Sequence, residues 1–166
     1  TIETDGVFTR DGQYVFFASD RERGNFDIYC RSLTDIATVR VTSHPSRDTS
    51  PAISHNGKYC AFVSQREDPE GDIYVMKIDP KKMIAEGSSP ETLRSYDADA
   101  VNLTQMKDPS SGTVLIIKDG SPAWSPDGKT IAFSSMRGGA ENIWLMDRRG
   151  KNMRQITHGG GLYPRF

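Results

Sequence analysis

The sequence predicts an all-β fold, namely a β-propeller segment of three four-stranded antiparallel blades with a short insert of helix and loop in the second blade. The first observation behind this prediction is an internal repeat, because one pattern of residue types occurs in three copies that begin at Phe8, Ile53 and Trp124. Their spacings are about 45 and about 70 residues, and propeller blades take about 40–50. The second observation is that each copy holds four short strand-like segments, as a propeller blade does.

A tight turn joins the first two strands of each copy. The three turns are Asp11-Gly12, Asn56-Gly57 and Asp127-Gly128. Such pairs favour a type I′ hairpin, in which both central residues have positive φ. The second strand of each copy is nearly continuously apolar and rich in β-branched and aromatic residues, which is typical of a strand covered on both faces.

The later strands and the spacing give the blade boundaries. The third strands begin at Asp27, Asp72 and Asn142, and the fourth strands end in Thr42, Thr104 and Thr157. We expect blade one at about 5–45, blade two at about 48–106 with the insert at 80–100, and blade three at about 119–158, with the start of a further strand at 162–166.

The insert is the part of the chain that the repeat does not explain. Asp79 as N-cap, Pro80 as the first helical residue and Gly87 as the stop predict a helical turn or two. Residues 88–100 are predicted to form a polar loop, and residues 114–117 a short strand. Loops on a rigid scaffold often carry binding.

We therefore expect a partner to bind apolar side chains of the insert and of the chain end. These candidates are Met83, Ile84, Leu93, Tyr96, Tyr163 and Phe166. The alternative for the insert residues is that they cover an edge of blade two.

Charge and hydropathy exclude two classes of partner from the prediction. The chain has 21 basic and 22 acidic side chains and a net charge of -1. Such a balance provides no field to attract nucleic acid, whose binding depends on phosphate neutralisation. No apolar run reaches the length of about 18 residues that a membrane-spanning helix needs.

Motifs of catalysis are not found in the sequence. There is no Gly-x-Ser-x-Gly elbow and no Walker-type loop. We expect no catalytic residues, cofactor or metal. The residues that could form a metal site are His44, His158 and Asp48, and the alternative is that the histidines are exposed in loops. The acids Asp48, Asp97, Asp99 and Asp119 could also form a polar patch with Arg47, and the alternative is that they solvate a surface or cap a turn.

Two further features favour structural roles. A Ser-x-Arg element follows the second strand of every copy, with its arginines at Arg21, Arg66 and Arg137. We expect these arginines to brace the turn between the second and third strands, or the neighbouring blade, through hydrogen bonds. Their expected partners are the residues that open the third strands. Cys30 and Cys60 lie in strand-like segments and are expected to be core hydrophobes, with a disulfide as the alternative.

The segment 122–135, with Asn142-Ile143-Trp144 after it, resembles the TolB-type propeller repeat. The resemblance implies a propeller of six or more blades. Propellers with this repeat occur in periplasmic TolB, as domains beside serine-peptidase domains and in lyase-like proteins, so the resemblance implies a protein of one of these kinds. Three blades do not close a propeller, so we expect either pairing of two chains, or half of a longer propeller, or a different protein partner.

The predicted function is a non-enzymatic protein-interaction or scaffolding module, a subunit of an assembly that binds a protein partner or itself through open blade faces. The first alternative is a propeller domain or fragment of a hydrolase or lyase-like enzyme, with a ligand or metal site on the channel face. The second is carbohydrate binding by aromatic residues such as Trp124, Trp144 and Tyr163. The resemblance implies a periplasmic or extracellular location.

Overall fold

The computed structural model describes residues 1–22 and 24–159. In this part of the chain, three four-stranded antiparallel sheets follow one another, each with its strands in chain order. Blade 1 contains β1 (Glu3–Phe8), β2 (Tyr14–Ser19), β3 (Asp27–Ser32) and β4 (Thr38–Arg40). Blade 2 contains β5 (Asp48–Ile53), β6 (Tyr59–Ser64), β7 (Asp72–Lys77) and β8 (Val101–Asn102). The predicted fold class is confirmed.

The chain continues from blade 2 through a small hairpin into blade 3. The hairpin pairs β9 (Met106–Lys107) with β10 (Val114–Leu115). Blade 3 contains β11 (Asp119–Trp124), β12 (Thr130–Ser135), β13 (Asn142–Asp147) and β14 (Arg154–Gln155). The strand expected at 114–117 is thus shorter than predicted. Ile117 instead donates its N–H to the Asp68 carboxylate at 2.8 Å.

The turns between first and second strands are hairpins, but they are not of type I′. Only their glycines have positive φ, for example 67° at Gly12. Gly12 N–H donates to the Thr9 carbonyl at 2.9 Å, and Asp11 accepts the Gln13 N–H at 3.1 Å. Because the aspartate side chain caps the turn, its own backbone does not need the left-handed conformation. Equivalent bonds form at the other two turns.

Each first strand contains a bulge next to a residue with positive φ. These residues are Asp5, Ser50 and Ser121, with φ of 58°, 51° and 49°, and the strand register shifts at each. The Asp5 carboxylate also accepts hydrogen bonds from the Ser50 N–H at 3.1 Å and the Ser50 hydroxyl at 3.3 Å. The bulge therefore joins the first strands of blades 1 and 2.

The insert begins with α1 (Pro80–Glu86), as predicted. The Asp79 carboxylate accepts the Lys82 N–H at 3.1 Å, and Gly87 with φ of 71° ends the helix. These are the ordinary roles of an N-cap aspartate and a C-terminal glycine.

The prediction of a polar loop over residues 88–100 is wrong, because a second helix, α2 (Pro90–Ala98), lies within this segment. Ser89 is the N-cap: its hydroxyl accepts the Thr92 N–H at 3.2 Å, and Pro90 takes the first helical position. The polar composition of this segment concealed a helix whose start signals were present. No described helix has both the length and the apolar character needed to cross a bilayer.

Each blade has two faces, because alternate residues of a strand point to opposite sides of a sheet. We call one side the front face. It bears the pairs Phe17 with Tyr29, Phe62 with Tyr74, and Phe133 with Trp144 in blades 1, 2 and 3. The opposite side is the back face. It bears the pairs Ala18 with Ile28, Val63 with Ile73, and Ser134 with Ile143.

The core lies between the blades. One apolar cluster joins the back face of blade 1 to the front face of blade 2, and another joins the back face of blade 2 to the front face of blade 3. Every junction within the described chain therefore has the same direction, back face against front face.

Candidate functional site

Each front face carries an arginine above its aromatic pair. The Arg66 guanidinium lies 5.6 Å from the Phe62 ring centre and 5.4 Å from that of Tyr74. Arg21 and Arg137 occupy the same position in blades 1 and 3. These distances suit cation–π attraction, which is strongest where water is excluded. Each junction thus consists of aromatic rings, a guanidinium and the apolar back face of the preceding blade.

The arginines bond the acids that open the first strands of their own blades. Arg66 contacts Asp48 at 2.9 Å and Arg137 contacts Asp119 at 2.7 Å. Arg21 pairs with Glu3 in the same way. The expectation that these arginines bond the residues opening the third strands is therefore wrong. The end of a second strand pairs with the start of the first strand, as Ser64 does with Asp48, so the arginine two positions on reaches that acid.

Arg66 and Arg137 also tie their blades to the preceding one, as the expected bracing of a neighbouring blade requires. Besides Asp48, Arg66 contacts a second acid, Asp97 of α2, at 2.8 Å. Asp97 in turn accepts the Ser43 N–H at 3.0 Å. Since Ser43 follows blade 1, the insert completes a bridge between blades 1 and 2. Arg137 donates to the Thr104 carbonyl at 3.4 Å. This second bridge runs directly between blades 3 and 2.

The acids that open the third strands instead hold the fourth strands. Asp27 contacts Arg40 at 2.7 Å. In blade 2, Asp72 accepts hydrogen bonds from Asn102 at 2.8 Å and from the Thr104 hydroxyl at 3.1 Å. The acids that open the third strands of blades 1 and 2 therefore fasten the short fourth strand to the sheet.

Burial dominates the electrostatics of this network. Asp27 and Asp48 are fully buried, and one oxygen of each has no hydrogen-bond partner among the described residues. Burial raises the pKa of Asp27 to about 7 although Arg40 opposes the shift, and it raises the pKa of Asp48 against the opposing Arg66. A carboxyl group with no exposed surface cannot reach a substrate, so this network is suited to holding blades together.

The raised pKa of Asp27 predicts that stability falls as the pH rises. The folded chain favours the neutral acid, so stability is greatest below the unfolded value near 3.8 and decreases until the pH passes about 7. The charged groups around Asp27 are Arg40, Asp48 and Asp97. We expect Asp27→Asn to remove this dependence.

Urea unfolding of the wild type and of Asp27→Asn, at about pH 5 and about pH 8, measures the effect. The variant should gain free energy of unfolding relative to the wild type at the higher pH. An equal difference at both values would show that Asp27 keeps its charge throughout.

No protein-family model matches the sequence. TolB from Acinetobacter baumannii has a similar structure, with a TM-score of 0.68 and 20% identity, over 96% of this chain and 33% of that chain. The fold is that of a TolB-like β-propeller segment.

Other propellers show the same similarity. A puromycin-hydrolyzing peptidase of Mycobacterium tuberculosis has a TM-score of 0.64 and 16% identity, over 95% of this chain and 23% of the peptidase. The β-propeller domain of the Trilobed protease from Pyrococcus furiosus has a TM-score of 0.54 and 17% identity, over 93% of this chain and 41% of that one. The segment thus spans a third of the TolB chain and less than a quarter of the peptidase.

The insert residues expected to bind a partner lie mostly against the propeller segment itself. Met83 is 1% exposed and Leu93 6%, so neither offers surface to a partner. Ile84 and Tyr96 are half-buried against the cluster between blades 1 and 2. Because the helices are amphipathic and short, their apolar side chains cover blade edges. The remaining candidates, Tyr163 and Phe166, lie outside the described residues.

The three residues considered for a metal site are not grouped around a common point, and two of them contact other groups. Asp48 is buried against Arg66, the ring Nδ1 of His44 accepts the Ser46 N–H at 3.1 Å, and His158 is exposed. Within residues 1–22 and 24–159, no group of three or more metal-binding side chains is suitably placed.

Cys30 and Cys60 are buried free thiols in the cluster between blades 1 and 2. Burial raises the pKa of the Cys30 thiol to about 12, which keeps it neutral.

A groove of about 540 Å³ lies between the hairpin turns of blades 1 and 2 and the start of α1. Arg10, His55 and Lys81 line it together with Asp11 and Asp79. Both carboxylates accept hydrogen bonds from their own turns. Oδ1 of each carboxylate is therefore engaged locally, and we assign no chemistry to the groove.

The tryptophans considered for carbohydrate binding lie at the junction of blades 2 and 3. Trp124 donates its ring N–H to the Ala52 carbonyl at 3.0 Å and lies 6.1 Å from Tyr59 between ring centres. Trp144 is half-buried beneath Arg137. The third aromatic, Tyr163, lies outside the described residues.

Proposed function

We propose that this propeller segment is a non-enzymatic protein-interaction or scaffolding module, which binds a protein partner or another copy through its open blade faces. The observation that supports the proposal is a difference between equivalent back-face residues. Ile28 and Ile73 are fully buried, whereas Ile143 of blade 3 is half-buried. Exposed apolar surfaces are typical interaction sites.

The buried carboxylates support the non-enzymatic part of the proposal. Asp27, Asp48 and Asp119 are at most 1% exposed, and each contacts an arginine. Groups held in this way stabilise the fold and do not meet a substrate. A periplasmic or extracellular location is proposed from the resemblance to the TolB-type repeat, and fractionation of the source cells tests it.

A photo-cross-linking residue at position 145 tests the interaction directly. Leu145 lies on the back face of blade 3 and is half-buried. A matched probe at Gln13 lies on an exposed hairpin turn. In the source cells, the probe at 145 should give a discrete adduct with an identified protein or with the chain itself, and the probe at 13 should not. Equal labelling at both positions would contradict the proposal.

A propeller domain of a hydrolase is the second candidate. It is favoured by the similarity to the puromycin-hydrolyzing peptidase, which covers 95% of this chain. In that case the partner of the open faces belongs to the same polypeptide. The mass of the protein isolated from its source separates the candidates, since a polypeptide several times 18.5 kDa that hydrolyses peptides supports the second.

A further inference from the structure

We infer that a basic rim shared by blades 2 and 3 binds a carboxylate-rich segment of a protein partner. The rim is formed by the turns that lie at one end of these two blades. Its basic side chains are all exposed, and they are Lys58, Lys77, Lys129, Arg148, Arg149 and Lys151. Because this surface is separate from the back face of blade 3, the inference goes beyond the proposed function.

Strand pairing brings these bases together from distant parts of the chain. In blade 2, the residue after β7, Ile78, donates its N–H to the Lys58 carbonyl at 3.0 Å. In blade 3, the residue after β13, Arg148, donates its N–H to the Lys129 carbonyl at 3.2 Å. Each blade therefore places its hairpin turn beside the end of its third strand, so the bases of both segments lie at one edge.

Arg148 connects the two halves of the rim. Its guanidinium lies 4.9 Å from the Tyr59 ring centre and donates a hydrogen bond to the Tyr59 hydroxyl. Tyr59 is the cross-strand partner of Lys77, and its ring packs against Trp124 of blade 3. Since the tyrosine orients the guanidinium, Arg148 can bond a carboxylate with little further loss of side-chain freedom.

The positive charge of the rim is not neutralised by ion pairs of the chain itself. Within residues 1–22 and 24–159, no rim base forms an ion pair with an acid. The acids of the rim are fewer, and each accepts a backbone N–H of its own turn; they are Asp79, Asp127 and Asp147. Neighbouring like charges repel each other, and a bound anion would relieve that repulsion.

A groove of about 430 Å³ beside Tyr59 adds room for an apolar side chain. Tyr59 and Ile78 give the groove apolar walls, whereas Lys58, Lys77 and Asp79 give it charge. The lysines outnumber the aspartate, so the groove favours an apolar side chain that has carboxylates next to it.

This combination suits a peptide better than a nucleic acid. Asp127 and Asp147 lie next to the bases in the sequence and would repel a continuous row of phosphates. The whole chain has a net charge of -1, so it lacks the broad positive field on which phosphate binding depends. A peptide can place separate carboxylates at the bases and an apolar side chain in the groove.

Fluorescence anisotropy with a fluorescein-labelled peptide of glutamate and leucine residues tests the inference. We expect the peptide to bind, and to bind more weakly when sodium chloride is raised from about 0.05 M to about 0.5 M, because salt screens exposed charges. Lys58→Glu together with Arg149→Glu should weaken binding by at least about 10-fold. The matched control is Lys107→Glu together with Lys118→Glu, which makes the same change of charge at exposed lysines outside the rim.

Both double variants change exposed side chains and should keep the unfolding midpoint of the wild type in urea. An equal loss of affinity in the rim variant and in its control would overturn the inference, because binding would then follow net charge alone. Tighter binding of a single-stranded oligonucleotide, or of phosphatidylserine vesicles, in competition with the peptide would also overturn it. A wild type that does not bind the peptide but cross-links a protein from position 145 would overturn this inference and leave the proposed function intact.

Discussion

Replacement of Arg66 by alanine is expected to lower the free energy of unfolding by about 3–5 kcal/mol, the effect of removing one member of a buried ion pair. The Arg66 side chain is 9% exposed and contacts Asp48, which is fully buried, and Asp97 of the insert. Its loss leaves a buried carboxylate without a counter-charge and breaks the bridge to blade 1. Protonation of Asp48, whose pKa burial already raises, will offset part of this loss at low pH.

Urea unfolding at about pH 5 and about pH 8 measures both parts of this prediction. Arg10→Ala is the matched control, because Arg10 is an exposed arginine on a hairpin turn and should change the free energy of unfolding by at most about 0.5 kcal/mol. If Arg66→Ala behaves like the control, the ion pairs do not hold the blades together.

Replacement of Phe62 by alanine is expected to cost about 3–5 kcal/mol of the free energy of unfolding, as is usual for a buried phenylalanine. Phe62 is fully buried between blades 1 and 2, and its ring centre lies 5.8 Å from that of Tyr74. The substitution removes the ring beneath Arg66 and leaves a cavity in the junction.

Leu33→Ala serves as the control for Phe62→Ala, since Leu33 is 43% exposed. Its cost should stay near about 0.5 kcal/mol. Thermal unfolding followed by near-ultraviolet circular dichroism measures both variants. A small effect at Phe62, similar to that of Leu33, would mean that the two blades unfold independently and that the junction contributes little.

The repeat allowed most of the fold to be predicted from the sequence. Asp-Gly and Asn-Gly turns mark the hairpins, and apolar second strands mark sheets covered on both faces. The turn type was missed because it depends on which atom satisfies the Gln13 N–H, and the Asp11 side chain does so. Helix α2 was missed because its polar composition outweighed the Ser89-Pro90 start signal.

The polar network was predictable only in part. The recurrence of the Ser-x-Arg element correctly indicated a structural role. Its partners were not evident, because the acids before the bulge, such as Asp48 and Asp119, are brought near the arginines by strand pairing over 18 residues of chain. Asp97 was a candidate for a polar patch, but its contact with Arg66 was not predictable, since Asp97 reaches Arg66 from the non-repeated insert.

The burial of the insert likewise depends on tertiary structure. Met83 lies in a helix that packs against blade 1 as well as blade 2, and no local signal shows which surface that helix covers. The greater exposure of the back face of blade 3 likewise appears only when its residues are compared with their equivalents in blades 1 and 2.

Hydroxyl-radical footprinting across a dilution series tests most directly whether the back face of blade 3 is an open binding surface. Leu145 is half-buried and its equivalent in blade 2, Val75, is 8% exposed. We predict that Leu145 is labelled in dilute solution and becomes protected when a protein partner or another copy binds, while Val75 stays protected throughout. Protection of Leu145 equal to that of Val75 in dilute solution would contradict the account, because the face would then already be closed within a single chain.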